Sequence, residues 1–389
     1  MSERILVIGA GYTGMQAAIG TARATRGRDV EVTLVNPVAR FTERLRLHQT
    51  ASGQEPADLR IPEMLDGSGV RFVLGRVSGI DPDAREVRVD GTRVLGYDRL
   101  VYALGGITDT GTVPGVAEHA YTLDTAAEAR RLAARLAELD AIGGTVVVVG
   151  GGLTGVEAAA EIAERHPESR VVLLSRDVPG STMGEKARAY LHAALARLGV
   201  EVRTGVSIGK VLPDTVELEG GESVFADACL WTAGVRVSPL AENAGFTVDD
   251  RGRVVVDATL RSVSHPDVYA IGDAAAVRQT YGVIHGTCQS GIPTAQHAAD
   301  SIARQVRGKE PEPFRFGYIH QPVSLGRNDA VIQFTRPDDT PRGFVLTGRP
   351  AVAYKEFVSS SPWKGLRLNK KYGVRAVWSH GGKITRNAE

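Results

Sequence analysis

Arg4-Ile5-Leu6-Val7-Ile8-Gly9-Ala10-Gly11-Tyr12-Thr13-Gly14 is the stretch that decides the fold. Ile5 to Ile8 is continuously apolar, the pattern of a strand buried on both faces of a parallel sheet. Glycines follow at positions 9, 11 and 14, then an alanine-rich stretch that stays free of charge to Ala22. In such a strand–turn–helix, Gly9 permits the tight turn, Gly11 lets a pyrophosphate come up to the backbone, and Gly14 lets helix and strand pack closely. The helix N-terminus, from Tyr12 and Thr13 onward, offers free N–H groups and a positive dipole end to phosphates. Val30 to Val35 reads as the next strand and completes a βαβ unit.

The same unit returns 141 residues later. Thr145 to Val149 is a strand with four consecutive valines, Gly150-Gly151-Gly152-Leu153-Thr154-Gly155 is the loop, Val156 onward is a helix, and Val171 to Leu174 is the second strand. Two copies at this distance are a duplicated domain rather than a short-period solenoid. The residue closing the second strand helps to define the nucleotide. In the first copy it is Asn36, which can accept from and donate to a ribose. In the second it is Ser175 followed by Arg176, with no carboxylate at that point to repel a 2′-phosphate; this favours NADPH over NADH.

Composition excludes several classes. The 389 residues are 43% hydrophobic and 23% charged, which fits a soluble globular chain and not a disordered one. A net charge of +1 and an aromatic content of 6% leave neither the electrostatic footprint nor the stacking platform of a nucleic-acid binder, so no nucleic-acid partner is expected. Cys229 and Cys288 are the only cysteines, which excludes a local redox dithiol and a thiolate zinc site; no metal is expected. Two distant thiols fit a reducing cytosol. The uncharged run Ile5 to Ala22 imitates a membrane span but is broken by Gly9, Gly11, Gly14 and Gly20. The protein is expected to be cytoplasmic, at most peripheral on a membrane.

Short β-rich pieces lie between the copies, at Val70 to Leu74, Glu86 to Val89 and Tyr97 to Leu104. Thr125 to Leu139 has helical spacing. Val268 to Asp273 is a late strand closing on Gly-Asp, and Pro293 to Val306 reads as a helix with proline in its first turn. After a linker at Gly308 to Pro313, the remainder reads as short strands and turns.

GAGYTG at 9–14, LVYALGG at 100–106, GGGLTGVE at 150–157, LWTAGV at 230–235 and VYAIGDAA at 268–275 together resemble the two-dinucleotide-binding-domain flavoproteins, the pyridine nucleotide-disulphide oxidoreductase superfamily. The resemblance spans about the first 310 residues. It implies an α/β fold with two Rossmann-like domains, the second inserted in the first, plus a small C-terminal α+β unit. The implied divisions are an FAD-binding domain at 1–108 and 236–310, an NAD(P)H-binding domain at 109–235 and a C-terminal domain at 311–389. The disulphide-reductase cysteine pair is missing. GGGLTGVEAAAEIAE and HGTCQSGIPTAQHAADSIARQVRG look like type II NADH:quinone oxidoreductases and apoptosis-inducing-factor-like relatives. FTERLRLHQTASG, at 41–53, departs from that group.

The resemblance implies bound FAD and NADPH or NADH, with hydride passing to the flavin and electrons going on to a quinone-like small molecule. A reductase of a small iron–sulphur or rubredoxin-type protein, and a flavoprotein acting on a secondary metabolite, are the alternatives. Asp273 would bind the ribityl chain and Gly272 would let it pass; Ala103, Leu104 and Gly105, with Arg44 and Val77, would complete the FAD site. Free N–H groups near Thr294 and Ala295 would stabilise reduced flavin. Glu157 would meet the nicotinamide amide, and Gly234 would let the ring approach. His48, His285 and Gln289 are the candidate proton donors.

Lys355 to Glu389 carries five Lys, three Arg and two Glu, a net charge of +6, interleaved with Phe357, Trp363, Tyr372 and Trp378. A basic aromatic face of this kind suits an anionic membrane or an acidic carrier protein. Packing of these aromatics onto the first domain is the preferred reading. The SSSP run at 359–362 argues against one long helix there.

Overall fold

The structure is a computed structural model that describes residues 2–385. Its first sheet is parallel, in the order Val268–Ala270, Arg99–Tyr102, Glu3–Ile8, Val30–Asn36, Val70–Leu74. The second is also parallel, in the order Glu201–Thr204, Arg170–Ser175, Thr145–Val149, Ala228–Trp231, Ala120–Tyr121. In each, the strand feeding a glycine loop is central. The strand after the loop helix lies on one side and a much later strand on the other, which opens the crevice at the topological switch point where ligands of such sheets bind.

The duplication reaches further than the glycine loops. In each half a three-stranded antiparallel meander is inserted between two strands of the parallel sheet, Val77–Asp81 to Arg93–Gly96 in the first and Ile208–Val211 to Ser223–Phe225 in the second. The central strands are dry because both faces are covered: Val7 and Ile8 are fully buried, and in the second sheet Val146 and Val148 pack on the helices while Val147 packs on the meander residues Val211, Val216 and Val224. Gly106–Thr108 pairs antiparallel with Val235–Val237 where the chain passes between the two sheets.

Two expectations need correction. The segment beginning near Cys288 is helical from Cys288 to Gln305, so Pro293 is interior and not in the first turn. It is tolerated because it lies only in the second turn; it leaves the Gln289 carbonyl without its intrahelical N–H. The C-terminal segment forms an antiparallel sheet, His320–Ser324, Ala330–Thr335 and Pro341–Thr347. It then forms one helix, Gly348–Tyr372, running straight through the SSSP run. Tertiary packing overrides weak helix formers here. Trp363 and Leu366 are buried in the core of the first sheet, and Trp363 lies 4.9 Å from the ring of Phe41. The aromatics divide, with Trp363 facing inward while Phe357 and Tyr372 are 69% and 62% exposed.

Candidate functional site

The two glycine loops are built alike. Gly9 has φ +94°, and a Cβ there would lie 2.4 Å from the Ala103 carbonyl oxygen; a Cβ on Gly14 would lie 1.8 Å from the Gly9 oxygen. Gly150, at φ +118°, abuts the Thr232 hydroxyl, and a Cβ on Gly155 would lie 1.9 Å from the Gly150 oxygen. The middle glycines behave differently. A Cβ on Gly11 or Gly152 would meet nothing within 4 Å, and both residues are exposed. The protein's own packing does not demand glycine there, whereas close approach of a phosphate ligand does. The N-termini of helices Tyr12–Ala24 and Leu153–Arg165 have no side-chain cap and no acidic residue in the first turn, which leaves both free for an anion.

Around the first loop, Asn36 is occupied by the backbone. Its Oδ1 accepts from Ala10 N–H at 2.9 Å and its Nδ2 donates to Val38 O at 2.8 Å, so it fixes the loop that faces the ligand. Tyr12 turns its ring edge to Phe41, at 5.0 Å. Arg44 donates to the Gly106 carbonyl and pairs with Asp124 at 3.1 Å, tying its segment to the chain beyond Gly105, which has φ +65°. Val77 is buried opposite Val89, leaving only its backbone for polar contact. Leu104 is half-buried against the same core.

Asp273 lies at the end of this crevice. Gly272, at φ +65°, packs on Thr13, and its N–H donates to Thr294 Oγ1 at 3.1 Å. A Cβ on Gly286 would strike the Asp273 carboxylate at 2.4 Å. Burial raises the Asp273 pKa above its ordinary value, although Arg44 pulls the other way. Among the described residues the carboxylate finds no hydrogen-bond donor, so it is an acceptor waiting for hydroxyls. Those of a ribityl chain fit it.

Thr294 and Ala295 do not have the free N–H groups expected of them. They lie two turns inside the helix, whose cap is Thr287, bonded reciprocally with Ser290. The groups that begin this helix are the N–H of Cys288 and of Gln289. Thr294 acts through its hydroxyl, which also donates to Gly291 O at 2.6 Å. The Gln289 side chain is committed to backbone, accepting from Ile319 N–H at 2.8 Å and donating to His320 O at 2.9 Å. It is therefore a strut rather than a proton donor. His285 borders the recess beside Asp273, stacked on Tyr318 at 4.4 Å and 3.6 Å from Asp339.

Glu157 and His48 come together from distant parts of the chain. Glu157 is buried one turn into the second loop helix and does not serve the helix dipole. Its Oε1 meets Lys355 Nζ at 2.8 Å and accepts from Ser324 N–H at 3.0 Å and Ser324 Oγ at 3.1 Å. Burial pushes the Glu157 carboxyl up, but Lys355 and these hydrogen bonds outweigh it and hold it ionised. His48 Nε2 lies 3.4 Å from Ser324 Oγ, and burial pushes its pKa down to about 4. Lys355 and Ser324 escaped sequence reading because their roles arise only when the C-terminal sheet and helix pack over the second loop helix.

Ser175 spends its hydroxyl on Asp177 O at 2.6 Å. Arg176 is 81% exposed, and the Asp177 carboxylate stands 3.9 Å from it. A carboxylate is therefore present beside the expected 2′-phosphate position, two residues later than the sequence reading looked. Gly234, at φ +76°, passes within 3.0 Å of Asp109 by its absent Cβ. Thr154 is exposed at the helix start and Leu153 is half-buried beside it. The described residues hold no cluster able to bind a metal ion.

Known proteins agree with this architecture. The NADH dehydrogenase-like protein MT1860 of Mycobacterium tuberculosis is 34% identical, over 92% of this chain and 93% of its own. A type II NADH:quinone oxidoreductase of Staphylococcus epidermidis is 28% identical, over 85% of this chain and 89% of its own. The sulfide:quinone oxidoreductase of Aquifex aeolicus superposes with a TM-score of 0.81 over 96% of each chain at 19% identity, a likeness of fold. Residues 3–301, which contain both glycine loops and the Gly-Asp turn, match the description of one family, and the chain belongs to it: the pyridine nucleotide-disulphide oxidoreductases.

Proposed function

We propose that the protein is an FAD-dependent NAD(P)H oxidoreductase that delivers electrons to a quinone-class small molecule. The observation that carries this reading is the half-buried Asp273 carboxylate, without a donor among the described residues, at the end of a crevice whose glycine loop stands open at Gly11. Bound FAD would supply hydride acceptance and onward electron transfer. The chain supplies position and charge. Gly11 and Gly152 admit the two pyrophosphates, and Asp273 accepts from the sugar-alcohol hydroxyls. The N–H groups of Cys288 and Gln289 stabilise negative charge at the helix start. Glu157, held ionised by Lys355, offers an acceptor to the nicotinamide amide and a place for a proton.

The names of the relatives support the quinone. The outer face of the C-terminal helix supports peripheral attachment: Phe357, Leu368 and Tyr372 are exposed beside Lys364 and Lys371. No helix among the described residues is long and apolar enough to cross a membrane.

The test is anaerobic addition of NADH and of NADPH to purified protein, followed by turnover with a short-chain quinone, a ferredoxin and oxygen. Bleaching of flavin bands and turnover fastest with quinone is expected. Fastest turnover with ferredoxin would replace the acceptor, and a colourless protein that cannot be loaded with FAD would end the reading.

A further inference from the structure

Far from the crevice, the C-terminal ends of the first loop helix, of helix Cys288–Gln305 and of helix Gly348–Tyr372 converge on a cleft of about 1030 Å³. Ala24 is 11 residues beyond Thr13, which places the cleft about 16 Å along the helix from the glycine loop. Helix C-termini carry partial negative charge, and arginines answer it here. Arg23 donates to Lys370 O at 3.3 Å. Arg307 donates to Ala24 O at 2.6 Å and Ala303 O at 3.3 Å. Arg315 donates to Gly382 O and Thr385 Oγ1. Capping explains why arginines stand there, but carbonyls and hydroxyls do not neutralise a guanidinium. Arg304 is paired with Glu312 and Arg375 with Asp300. Among the described residues Arg23, Arg307 and Arg315 meet no carboxylate, so three positive charges face one cleft.

Trp378 closes one side of the cleft, its Nε1 donating to Arg315 O at 2.9 Å and its ring 5.0 Å from His380.

We infer that this cleft binds a small phosphorylated metabolite with a planar ring, of the nucleotide class. The phosphate would lie on the guanidiniums of Arg23 and Arg307, and the ring on Trp378. Guanidinium forks match phosphate oxygens, and indole accepts a flat heterocycle without regard to its identity. The volume suits a ligand of that size. Such a ligand would clasp residues 373–380 to the two helices whose other ends hold the glycine loop and Gly291.

Calorimetric titration of ADP and of pyrophosphate into the FAD-loaded full chain tests this. ADP should bind saturably, and pyrophosphate at least about tenfold more weakly. Arg23→Gln should weaken ADP at least about tenfold, Arg23→Lys by no more than about threefold, and Ala376→Trp, which fills the cleft from a half-buried position, should abolish binding at this site. All three should keep the wild-type rate of flavin reduction by NADH. ADP binding unchanged in both Arg23→Gln and Ala376→Trp would overturn the site, as would loss of binding only together with loss of NADH-dependent reduction, which would place ADP on the second glycine loop. Equal affinity for pyrophosphate and ADP would overturn the ring contact with Trp378.

Discussion

The two loop helices align position for position from their first glycine, and two of their differences share one buried face. Gln16 in the first copy stands where Glu157 stands in the second, and Gly20 stands where Glu161 stands. Gln16 joins Gln296 through a neutral amide contact of 2.9 Å, and Gly20 lets Ala299 approach to 3.1 Å of its absent Cβ. The first helix is thereby locked without charge against helix Cys288–Gln305. In the second copy the same face carries two buried carboxylates looking at the C-terminal sheet. The glycine-loop end is common to both, and under the proposed function the buried face would decide whether a copy is a fixed seat or a place where charge and protons are handled. A resident cofactor in the first crevice and an exchanging one in the second would follow from that division.

Breaking one loop at a time gives the largest expected effect. Gly14→Ala puts a methyl 1.8 Å from the Gly9 oxygen and Gly155→Ala puts one 1.9 Å from the Gly150 oxygen, so both cost stability, on the order of 2–4 kcal/mol. Their functional outcomes should differ. Gly14→Ala should purify with little or no flavin, whereas Gly155→Ala should keep its yellow colour and lose reduction by NADH. Visible spectra before and after nucleotide decide it, and flavin loss in both variants would erase the distinction. Asp273→Ala should resemble Gly14→Ala in flavin content while melting close to wild type, because the carboxylate has no donor among the described residues to abandon.

Both loops, and the strands that feed them, were legible because their geometry is local. An apolar run, a glycine spacing and an alanine-rich helix need only neighbouring residues to be read. The strand that ends on Gly272-Asp273 was legible for the same reason, whereas a role for its carboxylate came only from the resemblance. The C-terminal helix was not. Serines and a proline at 359–362 point away from helix, and only Trp363 and Leu366, burying themselves beside Phe41, make one pay there. Lys355 and Ser324 were equally hidden, since they meet Glu157 across 198 and 167 residues of chain. The Thr294 and Ala295 N–H groups fail for a third reason: Pro293 carries the sequence signal of a first turn, but the helix starts at the Thr287 cap.

Charge on the second helix sharpens the comparison at intermediate magnitude. Glu161 is 1% exposed, and its Oε2 has no partner among the described residues. Burial raises its pKa to about 7. Between its ordinary value and about 7 the folded protein holds a proton that the unfolded chain has released, so this residue costs stability progressively as pH rises through that window. Glu161→Gln should therefore raise the free energy of unfolding more at pH 8 than at pH 5, by on the order of 1–3 kcal/mol at the higher pH, read by chemical denaturation. His48 works in the opposite direction. With its folded pKa near 4, the unfolded chain takes up a proton first as pH falls from its ordinary value of 6.5, and stability is lost over that interval. His48→Gln should flatten the acid limb. Equal gains for Glu161→Gln at both pH values would mean that its proton is not the source of the cost.

The smallest effect concerns the nucleotide itself, and it tests how far the second copy's charge extends to its ligand. Arg176 and Asp177 stand side by side at the end of the second strand, both largely exposed and 3.9 Å apart. Exposed charges of this kind contribute at most about 1 kcal/mol, because water and salt screen them. Removal of either should thus change the NADPH to NADH preference by only a few-fold. Arg176→Ala should weaken NADPH more than NADH. Asp177→Asn should strengthen NADPH relative to NADH, since it deletes a negative charge beside the expected 2′-phosphate position. The two shifts should shrink together as salt is raised from 20 to 300 mM, roughly a fourfold contraction of the screening length. A preference that neither substitution moves at low salt would place nucleotide discrimination elsewhere in the crevice and leave Arg176 a solvated surface residue.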